Sequence, residues 1–197
     1  LAAHCDRTYA VRAHLEVIAA EMVALEAGEF DRLQINTAPQ SGKTRTATEW
    51  GAFWWLCRHP TARIVIGSYG DDRAQAIGKH IRALVATYGA RYGLDLARGS
   101  TAVKDWDLTT GGGVRSVGVG SSITGFAADL ILIDDPTKSR AEAESTVKRD
   151  ATFDWYTADV LTRQQPGTKL ALVQTPWHVD DLRARVVKQE GLIENGG

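Results

Sequence analysis

Apolar positions along the chain follow two spacings, one typical of amphipathic helices and one typical of short buried strands. Helical spacing is found at residues 10–27, 44–58, 71–85, 139–162 and 179–189. Short apolar or β-prone runs are found at residues 32–36, 63–67, 130–133 and 169–174, and a β-hairpin is expected within residues 106–119. Short strands that alternate with helices favour an α/β fold with a mainly parallel central sheet flanked by helices.

The size and composition of the chain fit one globular domain without a membrane span. Its 197 residues are 44% apolar and 24% charged, and no apolar run approaches the ~20 residues that cross a bilayer. The two cysteines, Cys5 and Cys57, are far apart in sequence, which favours a reducing, cytosolic compartment over a disulfide framework. A net charge of −1 is low for a broad nucleic-acid-binding surface, so any DNA contact is expected to be local or shared among subunits.

A loop that can bind phosphate is predicted between the first strand and the helix after it. The loop ends in Gly-Lys-Thr and has the strand–loop–helix setting that a P-loop requires. Lys43 can reach the β- and γ-phosphates, and the Thr44 hydroxyl can bind Mg²⁺. A chance turn with an exposed lysine is the alternative. The residues expected around the phosphates are Thr37, Ala38, Pro39, Gln40, Ser41, Gly42, Lys43 and Thr44, with Thr37 in place of the usual glycine.

An acidic pair, Asp134 and Asp135, follows the most apolar run in the chain. Ligands of α/β proteins bind at the carboxyl ends of the strands, which is where this pair is expected to lie. We expect Asp134 to hold Mg²⁺ and Asp135 to orient and deprotonate the water molecule that attacks the γ-phosphate of a bound nucleotide. Because glutamate is more usual at the second position, Glu142 and Glu144 are alternative bases. A pair that only ends a strand and begins a turn is the structural alternative.

A third strand ends in two polar residues, Gln174 and Thr175. An amide in this position can hydrogen-bond both the attacking water and the γ-phosphate, so it can report hydrolysis to the rest of the domain. We therefore predict that Gln174 and Thr175 form a γ-phosphate sensor. An ordinary polar strand end would be preferred if the two earlier motifs did not precede it in this order.

Two longer motifs resemble the large subunit of phage terminases. The first is Gly118–Pro136 (GVGSSITGFAADLILIDDP), the second is Gln174–Leu182 (QTPWHVDDL), and the likeness extends from about His14 to Leu182. The resemblance implies the N-terminal ATPase domain of that subunit, which is a RecA-like additional-strand (ASCE) P-loop NTPase. It implies that ATP hydrolysis with Mg²⁺ drives double-stranded viral DNA into a procapsid. The corresponding motifs are Walker A (Lys43, Thr44), Walker B (Asp134, Asp135) and the coupling motif (Gln174, Thr175).

The same resemblance implies partners and a location. Copies of the chain are expected to form a ring, commonly a pentamer, on the capsid portal, together with the portal protein and a small terminase subunit that selects viral DNA. The expected location is the host bacterial cytoplasm and, transiently, the procapsid portal, with no membrane partner.

The expected organisation is a single ATPase domain over residues 1–197, with a helical lead-in at 1–30, a P-loop core at 31–182 and a C-terminal helix and tail at 183–197. Full-length relatives also carry a nuclease of ribonuclease H type, whose metal site needs several carboxylates. The only acidic residues after Leu182 are Glu190 and Glu194, so no nuclease activity is expected of this chain.

The chain departs from the family pattern where relatives carry arginines. Relatives often have an arginine two to four positions before the Walker A lysine, one before the late Trp-His pair, and some have one in the loop before Walker B. Here those positions hold Pro39, Gln40 and Ser41, then Pro176, and then Thr124. An arginine finger that stabilises transition-state charge is therefore not assigned. The candidates are Arg115, Arg140, Arg149 and Arg163.

Several other side chains have a structural and a functional interpretation. Core packing is favoured over base stacking for Trp50, Phe53, Trp54 and Trp55. A packed loop is favoured over a metal site for Trp177 and His178. Two interpretations stay open for one basic group, namely a solvated face and a contact with DNA or a neighbouring subunit. The group consists of Lys138, Arg140, Lys148 and Arg149. Arg12 and His14 are candidates for contact with adenine.

Two other functions stay open at this point. One is another P-loop DNA translocase or helicase. The other is a ring-forming structural module that binds nucleotide with little turnover.

Overall fold

Six strands and seven α-helices are found in residues 1–99, 104–123 and 125–191, the part of the chain that this computed structural model describes. The strands are β1 (Arg32–Asn36), β2 (Arg63–Ser68), β3 (Asp105–Asp107), β4 (Gly113–Gly118), β5 (Ala128–Asp134) and β6 (Gln164–Gln174). The helices are α1 (Ala2–Cys5), α2 (Ala13–Ala27), α3 (Gly51–Arg58), α4 (Asp71–Tyr88), α5 (Arg140–Glu144), α6 (Thr146–Trp155) and α7 (Leu182–Glu190). Within those ranges, no helix is long and apolar enough to cross a membrane.

Shorter helical segments extend two of these helices and link others. A π-helical segment, Thr44–Trp50, leads into α3, and a second one, Tyr156–Val160, continues α6. Two 3-10 turns lie at Gly89–Tyr92 and Leu161–Arg163.

The six strands form one sheet in the order β1–β6–β5–β2–β4–β3. Neighbouring strands are parallel except β3 and β4, which form the expected antiparallel hairpin. The strand β6 therefore lies between β1 and β5. Asn36 is opposite Gln174, and Asp134 is opposite Val173, so the three predicted motifs follow strand ends at one edge of the sheet. The predicted mainly parallel α/β fold is confirmed.

Helices cover both faces of the sheet. Successive residues of β5 point to opposite faces, so Leu132 packs in one hydrophobic cluster and Ile133 in the other. On the first face, Trp50, Phe53 and Trp55 are at most 5% exposed, and the rings of Trp50 and Phe53 meet edge to face with centroids 5.9 Å apart. Core packing is confirmed for these three aromatic side chains.

The region after β5 differs from the single helix predicted over residues 139–162. Ser145 ends α5 and begins α6 with an extended backbone (φ −80°, ψ 114°), and its hydroxyl accepts the Lys148 N–H. Serine favours such N-cap positions because its side chain can satisfy a free N–H of the first turn. The last helix also begins later than predicted, because Asp181 caps α7 by accepting the Ala184 N–H.

The end of β4 lies so close to the start of α4 that only glycine fits there. A Cβ on Gly118 would lie 2.4 Å from the Asp71 backbone nitrogen and 2.7 Å from the Gly70 carbonyl carbon. Gly118→Ala is therefore expected to lower the free energy of unfolding by about 1–3 kcal/mol, because backbone atoms would have to move apart. Urea unfolding followed by circular dichroism measures the change.

Gly70→Ala is the matched control, since a Cβ there meets nothing within 4 Å. It should change stability by only about a few tenths of a kcal/mol, as expected for an N-cap glycine. Equal destabilisation by both substitutions would contradict the close approach at Gly118.

Candidate functional site

The loop Thr37–Thr44 folds without a glycine at its first position. The Thr37 N–H donates to the Gln174 carbonyl oxygen at 3.2 Å, and the Thr37 and Ser41 hydroxyls hydrogen-bond at 2.8 Å. The turn itself uses left-handed backbone at Gln40 (φ 57°) and Gly42 (φ 89°). Thr37 thus closes the loop with its side chain and anchors it to the neighbouring strand β6.

Lys43 joins the loop to the other two motifs. Its side chain is 5% exposed, and its Nζ lies 2.8 Å from Thr175 Oγ1 and 3.0 Å from Asp135 Oδ2. A buried ammonium group is stable only when it is paired and hydrogen-bonded. Lys43 therefore holds together the ends of three parallel strands, which sequence analysis assigned to three separate motifs.

Asp134 is a fully buried carboxylate held by two hydroxyl groups. Thr44 Oγ1 donates to its Oδ2 and Thr48 Oγ1 to its Oδ1, each at 2.9 Å. Burial raises the pKa of Asp134 to about 6, with a further contribution from the nearby negative charge of Asp135. Sequence analysis did not identify Thr48, although its position four residues after Thr44 places it on the same helical face.

Asp135 has a backbone conformation that few residues other than glycine adopt. Its φ is 43°, its N–H donates to the Val173 carbonyl oxygen at 2.8 Å, and its Oδ1 accepts the Thr175 N–H at 2.9 Å. Non-glycine residues in this region are uncommon and tend to occur at functional sites. The Asp135 carboxylate thereby contacts both Lys43 and the end of β6.

The alternative bases lie outside this group of contacts. Glu142 accepts the Lys138 N–H through Oε2 at 3.1 Å, and Glu144 lies 3.6 Å from Arg140. Asp135, by contrast, contacts Lys43 directly. The geometry therefore favours Asp135 over the two glutamates as the carboxylate nearest the candidate phosphate site.

The four candidate arginines differ in their surroundings. Arg115 pairs with Asp105, and Arg149 lies 3.2 Å from Asp180 and donates to the Ala143 carbonyl oxygen at 2.7 Å. Arg163 directly precedes β6, so it lies at the opposite edge of the sheet from the three motifs. Arg140 has the most exposed side chain, at 79%, and its ion pair with Glu144 is long, at 3.6 Å.

The start of α2 contacts the phosphate loop, and the segment before α2 contacts the helix that follows the loop. His14 Nε2 lies 2.8 Å from the Ser41 carbonyl oxygen, and the Tyr9 and Thr46 hydroxyls lie 2.5 Å apart. The Arg45 guanidinium lies over the Tyr9 ring, 5.4 Å from its centroid. His14 was predicted from the sequence as a contact residue, whereas Tyr9 and Arg45 were not.

Some predicted residues lie outside the part of the chain that the structure describes. These are Thr124, in the loop before β5, and Glu194, in the C-terminal tail.

A known family matches most of the chain. The family described as "Terminase large subunit, T4likevirus-type, N-terminal" matches residues 34–195. The chain belongs to this family. The resemblance seen in the two long motifs is therefore confirmed, and membership supports a role in DNA packaging.

The fold also matches a solved structure of a large terminase. The crystal structure of the HK97 bacteriophage large terminase aligns with a TM-score of 0.61 and 15% sequence identity. The alignment covers 92% of this chain and 38% of the HK97 chain. This likeness confirms the RecA-like fold, and this chain matches little more than a third of that protein. A search of curated proteins found no match.

The buried charge of Asp134 predicts a pH-dependent effect on stability. Its pKa is higher in the folded protein (about 6) than its usual 3.8, so the folded state binds more protons between these values, and stability falls as pH rises through this window. Asp134→Asn removes the charge and should stabilise the protein in EDTA, by about 3 kcal/mol at pH 8 and about half as much at pH 5. Urea unfolding at both pH values measures it.

Asp154→Asn is the control, because Asp154 is exposed on α6. It should leave stability nearly unchanged at both pH values. A lower stability of Asp134→Asn than of the wild type at pH 8 would contradict the cost assigned to the buried charge.

Proposed function

We propose that this chain hydrolyses ATP and that hydrolysis powers the movement of double-stranded viral DNA into a procapsid. The observation that carries the proposal is the convergence on Lys43 of the phosphate loop, the acidic pair and the end of β6. Family membership supports the packaging role. The order of strands supports the nucleotide chemistry, because β6 lies between the strand of the loop and the strand of the acidic pair.

The residues at this edge suit a nucleotide triphosphate and Mg²⁺. Backbone N–H groups of Thr37–Thr44 and the start of the following helix would bind phosphate oxygens, and Lys43 would move from Asp135 to the β- and γ-phosphates. Mg²⁺ prefers oxygen ligands and commonly binds one or two carboxylates together with phosphates. The Thr44 hydroxyl and the Asp134 carboxylate, which already lie in contact, fit that requirement. Bound there, Mg²⁺ would neutralise charge on the phosphate oxygens.

The hydrolytic step needs one base and one sensor. Once Lys43 leaves Asp135, the freed Oδ2 can accept a proton from a water molecule that attacks the γ-phosphorus. The bond from that phosphorus to ADP breaks, and its electron pair leaves on the ADP oxygen. Gln174 and Thr175 would hydrogen-bond the water and the γ-phosphate. The loss of these contacts after hydrolysis would signal the reaction to the rest of the domain.

The proposed assembly is a ring on the capsid portal, with the small terminase subunit and the portal protein as partners in the host cytoplasm. We propose these partners because the chain belongs to a terminase large-subunit family, and the net charge of −1 fits a DNA grip shared among several copies. Arg140 is the candidate arginine best suited to reach a neighbouring copy, because its side chain is 79% exposed.

Replacement of Lys43 tests the proposed ATPase directly. Lys43→Ala removes the group that would bind the β- and γ-phosphates, so steady-state ATP hydrolysis should fall by about 100-fold or more. Hydrolysis should be measured over a range of protein concentrations, with and without duplex DNA. In the wild type, the rate of ATP hydrolysis should rise with protein concentration, with added DNA, or with both, since a ring completes its sites between subunits.

Lys79→Ala is the matched control, because Lys79 is an exposed lysine on α4. It should hydrolyse ATP like the wild type. Nucleotide binding without any Lys43-dependent turnover would overturn the proposal and would favour a structural nucleotide-binding module.

Replacement of Asp135 separates binding from catalysis. Asp135→Asn keeps the shape of the side chain but removes the proton acceptor and the ion pair with Lys43. The dissociation constant for Mg²⁺·ATP should stay equal or fall, because Lys43 no longer has to leave a carboxylate, while kcat should fall by about 100-fold or more. Calorimetric titration and steady-state kinetics measure the two. A variant with unchanged kcat would exclude Asp135 as the base.

A further inference from the structure

Two residues that line one small cavity each carry an unsatisfied buried polar atom. Gln174 and Asp181 both line it, beside Asp135 and Trp177. Gln174 is 3% exposed and Asp181 is 4% exposed. Among the described residues, neither Gln174 Nε2 nor Asp181 Oδ2 has a hydrogen-bond partner. Most buried polar atoms in proteins are hydrogen-bonded, so two unsatisfied atoms at one cavity require an explanation.

The two atoms are chemically complementary. The Gln174 amide nitrogen can only donate a hydrogen bond, and an ionised Asp181 carboxylate oxygen can only accept one. The cavity that these residues line has no room for a water molecule. A direct hydrogen bond between the two side chains would satisfy both atoms.

Asp181 is anchored through its other oxygen. Its Oδ1 accepts the Ala184 N–H at 3.2 Å as the N-cap of α7, and it also lies 3.4 Å from Arg183 Nε. This leaves Oδ2 as the spare acceptor of a carboxylate fixed at a helix terminus. Any contact with Gln174 would therefore link the end of β6 to the start of α7.

We propose that Asp181 is a positioning residue, whose Oδ2 accepts a hydrogen bond from Gln174 Nε2 and thereby orients the amide. This proposal rests on the proposed ATPase function of the same site. With its nitrogen bonded to Asp181, the amide has its carbonyl oxygen free to accept a hydrogen bond from the attacking water. Asp181 thus selects which end of the amide faces the nucleotide.

The neighbouring contacts connect this arrangement to the phosphate site. Thr175, next to Gln174, is held by Lys43 through its hydroxyl and by Asp135 through its N–H. When Lys43 moves to phosphate, the first of these bonds is lost, and the end of β6 becomes free to adjust. The start of α7 would then respond to the state of the phosphate site through Asp181.

A substitution that keeps the helix cap separates positioning from structure. Asp181→Ser preserves an N-cap oxygen but removes the second oxygen. We expect kcat for ATP to fall about 10-fold, with KM within about twofold of wild type and a thermal midpoint lower by no more than about 3 °C. Asp154→Ser, on the exposed face of α6, should change none of these. An unchanged kcat in a folded Asp181→Ser protein would overturn the proposal.

An exchange of the two groups tests the contact without reference to ATP hydrolysis. Gln174→Glu places two carboxylates at one buried cavity and should lower the thermal midpoint, and Asp181→Asn should lower it less. The double variant restores one carboxylate and one amide. Its thermal midpoint should therefore lie about 3 °C or more above the midpoint that the two single shifts would give if they were additive. Additive effects would overturn the proposal.

The two experiments also distinguish the failure of this inference from failure of the proposed function. Non-additive shifts of the thermal midpoint, in a protein that shows no Lys43-dependent hydrolysis, would support the contact and reject the ATPase function. Additive shifts of the thermal midpoint, in a protein that does hydrolyse ATP, would reject the contact alone.

Discussion

The pairing of the buried Lys43 ammonium group with Asp135 and Thr175 is the interaction on which the candidate site depends. An ammonium group with a side chain only 5% exposed must be neutralised, and its partners come from the ends of β5 and β6. The loop after β1 supplies the lysine itself. One ion pair with one hydrogen bond therefore fixes three elements, of which the first and the last, at Lys43 and Thr175, lie 132 residues apart in the chain.

The order of the strands makes this arrangement possible. With β6 between β1 and β5, the carboxyl end of β6 is adjacent to both the phosphate loop and the acidic pair. Thr37 donates to Gln174 on one side, and Asp135 accepts from Thr175 on the other. The site also carries costs, namely a buried Asp134 whose pKa is raised to about 6 and a left-handed backbone at Asp135. Such free-energy costs are typical of functional sites, where the binding of a ligand offsets them.

Local patterns predicted the strands and most helices, because apolar spacing reports burial directly. They also predicted the loop and the acidic pair, whose residue types follow strand ends. They could not predict the break at Ser145, since a serine inside a helical pattern becomes a cap only when tertiary packing turns the chain. The unsatisfied oxygen of Asp181 and the contact of Thr48 with Asp134 depend on strand order and side-chain packing, so sequence spacing alone did not reveal them.

In the proposed mechanism, Lys43 exchanges the Asp135 carboxylate for phosphate. A crystal structure of the chain with Mg²⁺ and ADP–beryllium fluoride, an analogue of ATP, tests this most directly. We predict that Lys43 Nζ contacts the fluoride group that replaces the γ-phosphate and no longer contacts Asp135 Oδ2. A bound nucleotide with Lys43 still paired to Asp135, or a nucleotide bound away from Thr37–Thr44, would contradict it.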